Sequence, residues 1–112
     1  MDPRLEAMVE AARAGGAVAI DHYRRGFSVA LKADRSPVTE ADREAERAIL
    51  GVLRARCPDH GALGEELGES GPRERRFIVD PIDGTRNFVR RIPTWAVLIA
   101  LEEDGVVAGG VV

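Results

Sequence analysis

Two acidic residues flank a proline at the end of an apolar run in the segment FIVDPIDGTRNF, Phe77 to Phe88. Asp80 and Asp83 are three positions apart, and Pro81 between them fixes its own φ and turns the chain. Two carboxylates about 4 Å apart repel each other by roughly 4 kcal/mol at an effective dielectric constant of about 20. Either these side chains point apart, or a cation lies between them.

A cation at this turn would have a definite ligand chemistry. Carboxylates and carbonyls are the oxygen ligands that Mg²⁺ prefers, and the backbone carbonyl of Ile82 can join the two carboxylates. Gly84 lets the backbone approach a ligand closely, and the N–H groups of Gly84 and Thr85 can face an anion such as a phosphate. The alternative is a surface turn, with Asp83 and Gly84 as turn residues and Thr85 as a helix cap.

Two further acidic patterns can contribute to the same chemistry. Glu65 and Glu66 directly follow a short apolar stretch, and only one of them needs to enter a site because adjacent strand residues point to opposite faces. Asp42 comes three positions after Thr39, where it can complete the capping box of a helix or reach Thr85 and help orient a water nucleophile. Singly, these patterns favour solvated glutamates and a simple helix cap. Together, acids at the ends of several elements favour a site.

The other chemically active residues carry weaker signals. Lys32 falls in a predicted strand, where it is either solvated or places a positive charge near the acids or a phosphate. His22 and His60 have no partner spacing and are given no role. The single cysteine, Cys57, is predicted to be a half-buried apolar residue. The sequence contains no GxxxxGK[ST], HExxH, CxxC or GxSxG pattern.

Composition narrows the class of protein. The 112 residues suffice for one small domain, and 45% apolar with 31% charged residues is ordinary for a globular protein. A net charge of -3 and arginines interleaved with acids argue against nucleic acid as a partner. One cysteine permits no internal disulfide and indicates a reducing compartment. With no signal-peptide pattern and no apolar run long enough for a bilayer, we expect a cytoplasmic protein without a membrane partner.

The elements that would position these residues follow from apolar periodicity and end signals. Helices are predicted over 3–24 and from Thr39 to about Arg56, with Asp2 and Gly26 capping the first helix. Strands are predicted over 27–32, 62–64, 77–80, 95–102 and 106–112. Asp80 is expected to end the strand 77–80, and residues 68–76 are expected to form a loop. An Asp-Gly hairpin turn is predicted between the strands 95–102 and 106–112. This order predicts an α/β (α+β layered) fold. The apolar helix faces are Leu5, Met8, Val9, Ala12, Ala19, Ile20 and Tyr23, and Ala45, Ala48, Ile49, Val52 and Leu53.

The segments PVTEAD, GEE and VDPIDGTRNF, in that order, resemble the inositol monophosphatase-like family of Mg²⁺-dependent phosphatases. The DPIDGT element is highly specific, and the resemblance covers essentially the whole chain. It implies the N-terminal portion of an alternating helix/sheet (αβαβα) sugar-phosphatase-type fold, two or more Mg²⁺ ions, a small phosphorylated metabolite as substrate and, by analogy, a homodimer. Because members of this family are more than twice as long, residues 1–112 are expected to be the N-terminal half of a truncated domain. The second half would supply another metal-binding aspartate and most of the pocket for the substrate alcohol.

The resemblance also implies a set of metal ligands. Glu65 would ligate a metal ion and take part in catalysis, and Glu66 would lie near the metals. Asp80 would bridge two metal ions. Ile82 would contribute its backbone carbonyl, and Asp83 would bind the second metal.

The remaining roles implied by the resemblance concern the phosphate and the water. Gly84 and Thr85 would hold the substrate phosphate through their backbone N–H groups, beside Asp83. Thr85 and Asp42 would orient the attacking water. Lys32 would be a nearby positive charge. Two metal ions flanking a phosphoryl group neutralise its oxygens and activate the water.

Within the family, the segment NFVRRIPTWAVLIALEEDG is most similar to the histidinol-phosphatase branch, through Val89-Arg90, Trp95 and LIALE. The inositol monophosphatases read more like NFVHGFPHFAVSIA at this place. Histidinol phosphate, an intermediate of histidine biosynthesis, is therefore the favoured substrate, ahead of inositol 1-phosphate and other small phosphates such as bisphosphonucleotides. Two alternatives from other classes are a non-catalytic fragment that binds Mg²⁺ or a partner chain, and a plain structural domain.

Overall fold

The computed structural model describes residues 1–26, 29–31 and 37–112, with the backbone alone at 29–31 and 37–38. Its elements are α1 (Pro3–Arg25), β1 (Val29–Leu31), β2 (Pro37–Thr39), α2 (Glu40–Arg56), β3 (Gly61–Gly64), β4 (Gly68–Ser70), β5 (Arg75–Asp83), α3 (Thr85–Val89), β6 (Ala96–Glu103) and β7 (Val106–Val111). The predicted strand 27–32 is described only at Val29–Leu31. Lys32 lies outside the described residues.

The strands form two sheets. β1 and β2 make an antiparallel pair, and a five-stranded sheet has the order β4-β3-β5-β6-β7. In the larger sheet β3 and β5 are parallel, whereas the other neighbours are antiparallel. Helices packed on a mixed sheet confirm the predicted α/β (α+β layered) class. Among the helices of the described residues, none is long and apolar enough to cross a membrane.

Local signals determine the helix ends as predicted. The Asp2 side chain accepts a hydrogen bond from the backbone N–H of Arg4, and Gly26 ends α1 with φ 101°. Thr39 and Asp42 form a complete capping box at the start of α2. The turn between β6 and β7 has φ 50° at Asp104 and 81° at Gly105, as expected for a two-residue hairpin of type I′.

The buried face of α1 matches the predicted one only in part, since Met8 and Ala19 are buried as predicted. Its fully buried positions are Ala7, Met8, Ala11, Gly15, Ala19 and His22, whereas Leu5, Val9, Ala12, Ile20 and Tyr23 are half-buried at its sides. Small residues occupy the centre because α2 approaches closely there. A Cβ on Gly15 would lie 2.6 Å from Ile49. In α2, Ala45, Ile49 and Leu53 are buried as predicted, while Ala48 and Val52 are half-buried.

Two buried clusters hold the layers together. The larger lies between the two long helices and one face of the five-stranded sheet and includes Met8, Ile49, Leu53, Cys57, Phe77, Val79, Ile99 and Leu101. Cys57 is 7% exposed, so it is more deeply buried than predicted, and burial raises the pKa of its thiol. The smaller cluster contains Ala19, Ala41, Ile82 and Phe88, with Tyr23 and Trp95 packed against it. This second cluster anchors the end of β5 and α3 to the helices.

Two strand boundaries depart from the predictions. The predicted loop 68–76 contains β4, a short exposed strand whose one partner among the described strands is β3, and the first residues of β5. Asp80 does not end its strand, because β5 continues to Asp83 through a register shift. Asp80 pairs with Leu98 and Asp83 with Ala96, so three steps on β5 match two on β6. This is the pattern of a β-bulge, where a proline is tolerated within a strand.

Candidate active site

The parallel pairing of β3 and β5 brings two of the predicted acids to the same edge of the sheet. Gly64 pairs with Val79, and the N–H of Glu65 donates to the carbonyl of Val79 at 3.2 Å. Glu65 and Asp80 are the next residue on each strand. The carboxyl ends of parallel strands are where open α/β sheets place their sites. A cavity of about 440 Å³ lies here, lined in part by Gly64, Glu65 and Asp80.

Asp80 is held in an environment that disfavours its charge. Burial, the hydrogen-bonded carboxyl of Glu65 and the negative charges of Glu65 and Asp83 raise the pKa of Asp80 to about 8. Its Oδ1 atom is buried and has no hydrogen-bond partner among the described residues. The repulsion inferred from the sequence is therefore present in the fold. A cation would offset the negative charge of the three carboxylates and provide a partner for this oxygen.

The bulge separates Asp80 from Asp83 and fixes what lies between them. Pro81 and Ile82 are buried, with Ile82 only 1% exposed, whereas Asp83 is exposed to solvent. The carbonyl oxygen of Ile82 lies 2.9 Å from the Thr85 hydroxyl oxygen. This contact orients the carbonyl that the resemblance assigns to a metal ion.

Asp42 reaches Thr85, as one of the two interpretations of its position predicts. The Thr85 hydroxyl donates to Oδ1 of Asp42 at 3.0 Å. The other oxygen, Oδ2, accepts the N–H of Thr39 at 2.8 Å and its hydroxyl at 2.7 Å. Asp42 therefore caps α2 and contacts the turn after β5 at the same time. With 2% exposure, it is a fully buried acceptor.

Thr85 is not the helix cap that the surface-turn alternative predicted. Gly84 is the N-cap of α3, in the left-handed conformation with φ 87° and ψ 37°, and makes no side-chain capping bond. A Cβ at Gly84 would lie 3.1 Å from the carbonyl oxygen of Thr94. Both the backbone angles and the close approach therefore require glycine. The Thr85 side chain is left to bond Asp42 and Ile82.

Aromatic packing holds α3 in place. Phe88 is fully buried, and its ring lies 5.3 Å from that of Tyr23 and 5.0 Å from that of Trp95, measured between centroids. The Asn87 side chain donates to the carbonyl of Thr94 at 3.0 Å. The turn that contains Gly84 and Thr85 is thereby packed against α1 and the start of β6.

Sequence reasoning missed Glu46. This residue of α2 is 0% exposed, and its carboxylate accepts the backbone N–H groups of Glu66 at 2.9 Å and Leu67 at 2.5 Å. Burial raises the pKa of Glu46, and these two hydrogen bonds oppose that shift. A signal was available, since position 46 falls four residues after Asp42, on the same helix face.

Sequence reasoning also missed the role of His22. This histidine is buried, and its Nε2 lies 2.6 Å from the carboxylate of Glu44, so it links α1 to α2. Glu66, an accessory candidate, is half-buried and contributes its backbone N–H to the contact with Glu46. Lys32, the other accessory candidate, falls outside the described residues.

The residues present fit Mg²⁺ by their chemistry. Glu65, Asp80 and Asp83 offer carboxylate oxygens, Ile82 offers a carbonyl, and the buried Oδ1 of Asp80 lacks a partner in the described part of the chain. Hard oxygen donors without nitrogen or sulfur are the set that Mg²⁺ prefers. Across residues 1–26, 29–31 and 37–112, no group of three Asp, Glu, His or Cys side chains is arranged closely enough to hold a metal ion without movement.

The sequence model of the inositol monophosphatase family matches residues 1–112. The chain belongs to the inositol monophosphatase family. It is 45% identical to the histidinol-phosphatase of Chlorobaculum parvum over 115 aligned residues, covering 100% of this chain and 44% of that protein. It is 42% identical to the inositol-1-monophosphatase of Mesorhizobium japonicum over 112 aligned residues, covering 96% of this chain and 42% of that protein.

The fold agrees with this membership. A crystal structure of the extragenic suppressor protein suhB from Bartonella henselae superposes with a TM-score of 0.88 at 41% identity, over 95% of this chain and 43% of the other. The predicted sugar-phosphatase-type fold is thus confirmed. The chain spans less than half the length of the relatives it matches.

Proposed function

We propose that this chain provides part of the active site of a Mg²⁺-dependent phosphomonoesterase whose substrate is histidinol phosphate. The hydrogen bond from Thr85 to Asp42, made next to the bulge that carries Asp80, is the observation that carries the proposal. It holds a hydroxyl that can orient water beside the end of β5, where carboxylates can hold a cation. A simple helix cap would not need this contact.

Four groups would hold the metal ions: the carboxylates of Glu65, Asp80 and Asp83 and the carbonyl of Ile82. Bound Mg²⁺ supplies charge neutralisation for the phosphate oxygens and lowers the pKa of a coordinated water. Asp80, whose neighbours disfavour its charge in the metal-free protein, is the group that gains most from a cation. Asp83 is exposed and so remains accessible to a second ion and to the substrate phosphate.

Thr85 and Asp42 would orient the attacking water. The Thr85 hydroxyl has one proton, and two acceptors lie within 3.0 Å of its oxygen, Oδ1 of Asp42 and the carbonyl of Ile82. By donating to Asp42 it keeps its lone pairs for the water's proton. Thr39 fixes Asp42 through its N–H and hydroxyl, so the acceptor does not turn away. This is positioning for general base catalysis.

The turn after the bulge would receive the phosphate. The N–H groups of Gly84 and Thr85 lie at the start of α3, and the left-handed conformation of Gly84 orients them. Lys32 would add a positive charge and Glu66 would lie near the metal ions, as accessory residues.

Histidinol phosphate is preferred over inositol 1-phosphate for two reasons. The segment from Asn87 to Gly105 is most similar to the histidinol-phosphatase branch, and the relative from Chlorobaculum parvum bears that name. The inositol-1-monophosphatase of Mesorhizobium japonicum, at 42% identity, supports inositol 1-phosphate as the second candidate. Inside the cell, we propose a cytoplasmic enzyme that acts on a small metabolite as a homodimer.

A phosphate-release panel tests the proposal. The full gene product that contains this chain is incubated with histidinol phosphate or inositol 1-phosphate, with Mg²⁺ or with a chelator. We expect Mg²⁺-dependent release, faster from histidinol phosphate, and a loss of at least about 100-fold for Asp83→Asn. Exposed Glu40→Gln is the control and should keep full activity. Faster release from inositol 1-phosphate would reassign the substrate. No release from either compound would overturn the proposed phosphatase activity and favour a metal-binding fragment.

A further inference from the structure

We infer that Glu46 is a positioning residue for the metal ligand Glu65, an inference that rests on the proposed function. Glu46 is not among the groups proposed to hold the metal ions or the substrate phosphate. Its carboxylate holds the backbone on both sides of Glu65 from within α2.

The first part of the argument is the hydrogen bonding after Glu65. Oε1 of Glu46 accepts the N–H of Glu66 at 2.9 Å, and Oε2 accepts the N–H of Leu67 at 2.5 Å. One carboxylate therefore binds two successive amides with one oxygen each. Charge-assisted hydrogen bonds of this kind are stronger than those between neutral groups.

The second part is the contact before Glu65. A Cβ on Gly64 would lie 2.4 Å from Oε2 of Glu46 and 2.8 Å from Oε1. The carboxylate therefore packs directly on the backbone of Gly64, where any side chain would displace it. The strand can approach α2 this closely only because residue 64 is glycine.

The third part is the contact at Glu65 itself, whose N–H donates to the carbonyl of Val79 at 3.2 Å. The backbone of four successive residues, from Gly64 to Leu67, is thereby fixed by contacts with α2 and β5. Asp80 follows Val79 directly, so the same contacts set the backbone of Glu65 relative to Asp80. Partners behind a metal ligand typically change metal affinity by about 10–100-fold when removed.

Mn²⁺ binding to the full gene product, measured by titration calorimetry without substrate, tests the inference. Glu46→Gln keeps the shape of the side chain but can accept only one of the two amides. We expect it to weaken Mn²⁺ binding by about 10–100-fold. Glu44→Gln is the matched control on the same helix, since its carboxylate is half-exposed and contacts His22 instead; it should bind Mn²⁺ as the unchanged protein does.

A stability control separates positioning from general loosening. Leu53→Ala removes a side chain from the larger core cluster, with 2% exposure, and is expected to lower the unfolding midpoint while leaving Mn²⁺ affinity within about 2-fold. Equal weakening by Leu53→Ala and Glu46→Gln would overturn the inference. If Glu46→Gln does not fold, Gly64→Ala displaces the same carboxylate from the other side and should weaken Mn²⁺ binding in the same range.

The outcomes also separate this inference from the proposed function. Tight Mn²⁺ binding by both the unchanged protein and Glu46→Gln would overturn the positioning role alone. Absence of Mn²⁺ binding by the unchanged protein would overturn the proposed function together with it.

Discussion

The hydroxyl of Thr85 lies 3.0 Å from Oδ1 of Asp42, although the two residues are 43 positions apart in the sequence. Asp42 is buried in the first turn of α2, and Thr85 begins α3 just after the bulged end of β5. One hydrogen bond therefore connects a helix cap to the turn proposed to receive the phosphate. The contact explains why an otherwise ordinary capping residue is an aspartate held at both oxygens.

Removing the Thr85 hydroxyl should reduce the chemical step. Thr85→Ala is expected to lower the rate of phosphate release by about 10²–10⁴-fold, the range typical of groups that assist proton transfer. Thr85→Ser keeps the hydroxyl and should retain most of the activity. Steady-state kinetics at saturating Mg²⁺ measure both. Equal activity in Thr85→Ala and the unchanged protein would refute the proposed role of the hydroxyl.

Without metal ions, the protein should lose stability as the pH rises from about 4 to about 8. In this window the folded state holds a proton on Asp80, whose pKa is raised from 3.8 to about 8, while the unfolded chain has released it. Stability falls with pH wherever the folded state binds more protons. Urea unfolding with a chelator at pH 5 and pH 8 measures the difference.

Asp80→Asn is the control for this pH dependence. The amide does not titrate, so the variant should show a smaller loss of stability between pH 5 and pH 8 than the unchanged protein. Mg²⁺ at pH 8 should stabilise the unchanged protein and not the variant. An identical pH dependence in the two proteins would show that Asp80 keeps an ordinary pKa.

Two adjacent glycines of α1 should respond in opposite ways to the same substitution. A Cβ at Gly15 would meet Ile49 at 2.6 Å, whereas nothing lies within 4 Å of one at Gly16. Gly15→Ala should therefore destabilise the protein by about 1–3 kcal/mol through overpacking. Gly16→Ala should stabilise it by about 0.5–1 kcal/mol through helix propensity. The midpoints of urea unfolding of both variants, compared with that of the unchanged protein, measure these changes in stability. A gain in stability for Gly15→Ala would contradict the close packing of α1 and α2.

Phe88 should be the main anchor of α3. Phe88→Ala is expected to cost about 3–5 kcal/mol of unfolding free energy, because a fully buried ring is lost from between Tyr23 and Trp95. Val107→Ala, at an exposed position of β7, should change stability by only about 0.5 kcal/mol. Comparable losses in the two variants would mean that the aromatic cluster contributes little.

Features that depend on neighbours in the sequence were predictable. Asp2, Gly26, Thr39 and Asp42 define helix ends through contacts within one turn, and Asp104-Gly105 defines a hairpin through its own backbone angles. The contact of Asp42 with Thr85 was predicted as one alternative, since both residues fall at element ends. The resemblance to a family added the roles that no spacing could supply.

Features that depend on distant partners were not predictable from local pattern. β4 is short, exposed and polar, and exists only because it pairs with β3. The continuation of β5 past Pro81 depends on a bulge matched to β6. Glu46 was not singled out from the sequence, because the backbone N–H groups that donate to its carboxylate lie 20 and 21 positions later. In α1, the buried Ala7 and Ala11 were left out of the predicted face, whereas larger apolar residues beside them were included.

Helix α2 carries two buried carboxylates, Asp42 and Glu46, and each contacts a different strand end. Their separation along the helix axis is that of four residues, about 6 Å, and an α-helix hardly stretches. The rise per residue of the helix thus sets the distance between the turn at Thr85 and the loop at Glu65. A one-residue insertion between Asp42 and Glu46 would rotate one carboxylate by about 100° around the helix axis. The turn at Thr85 and the loop at Glu65 would then be misaligned, even if every strand kept its place.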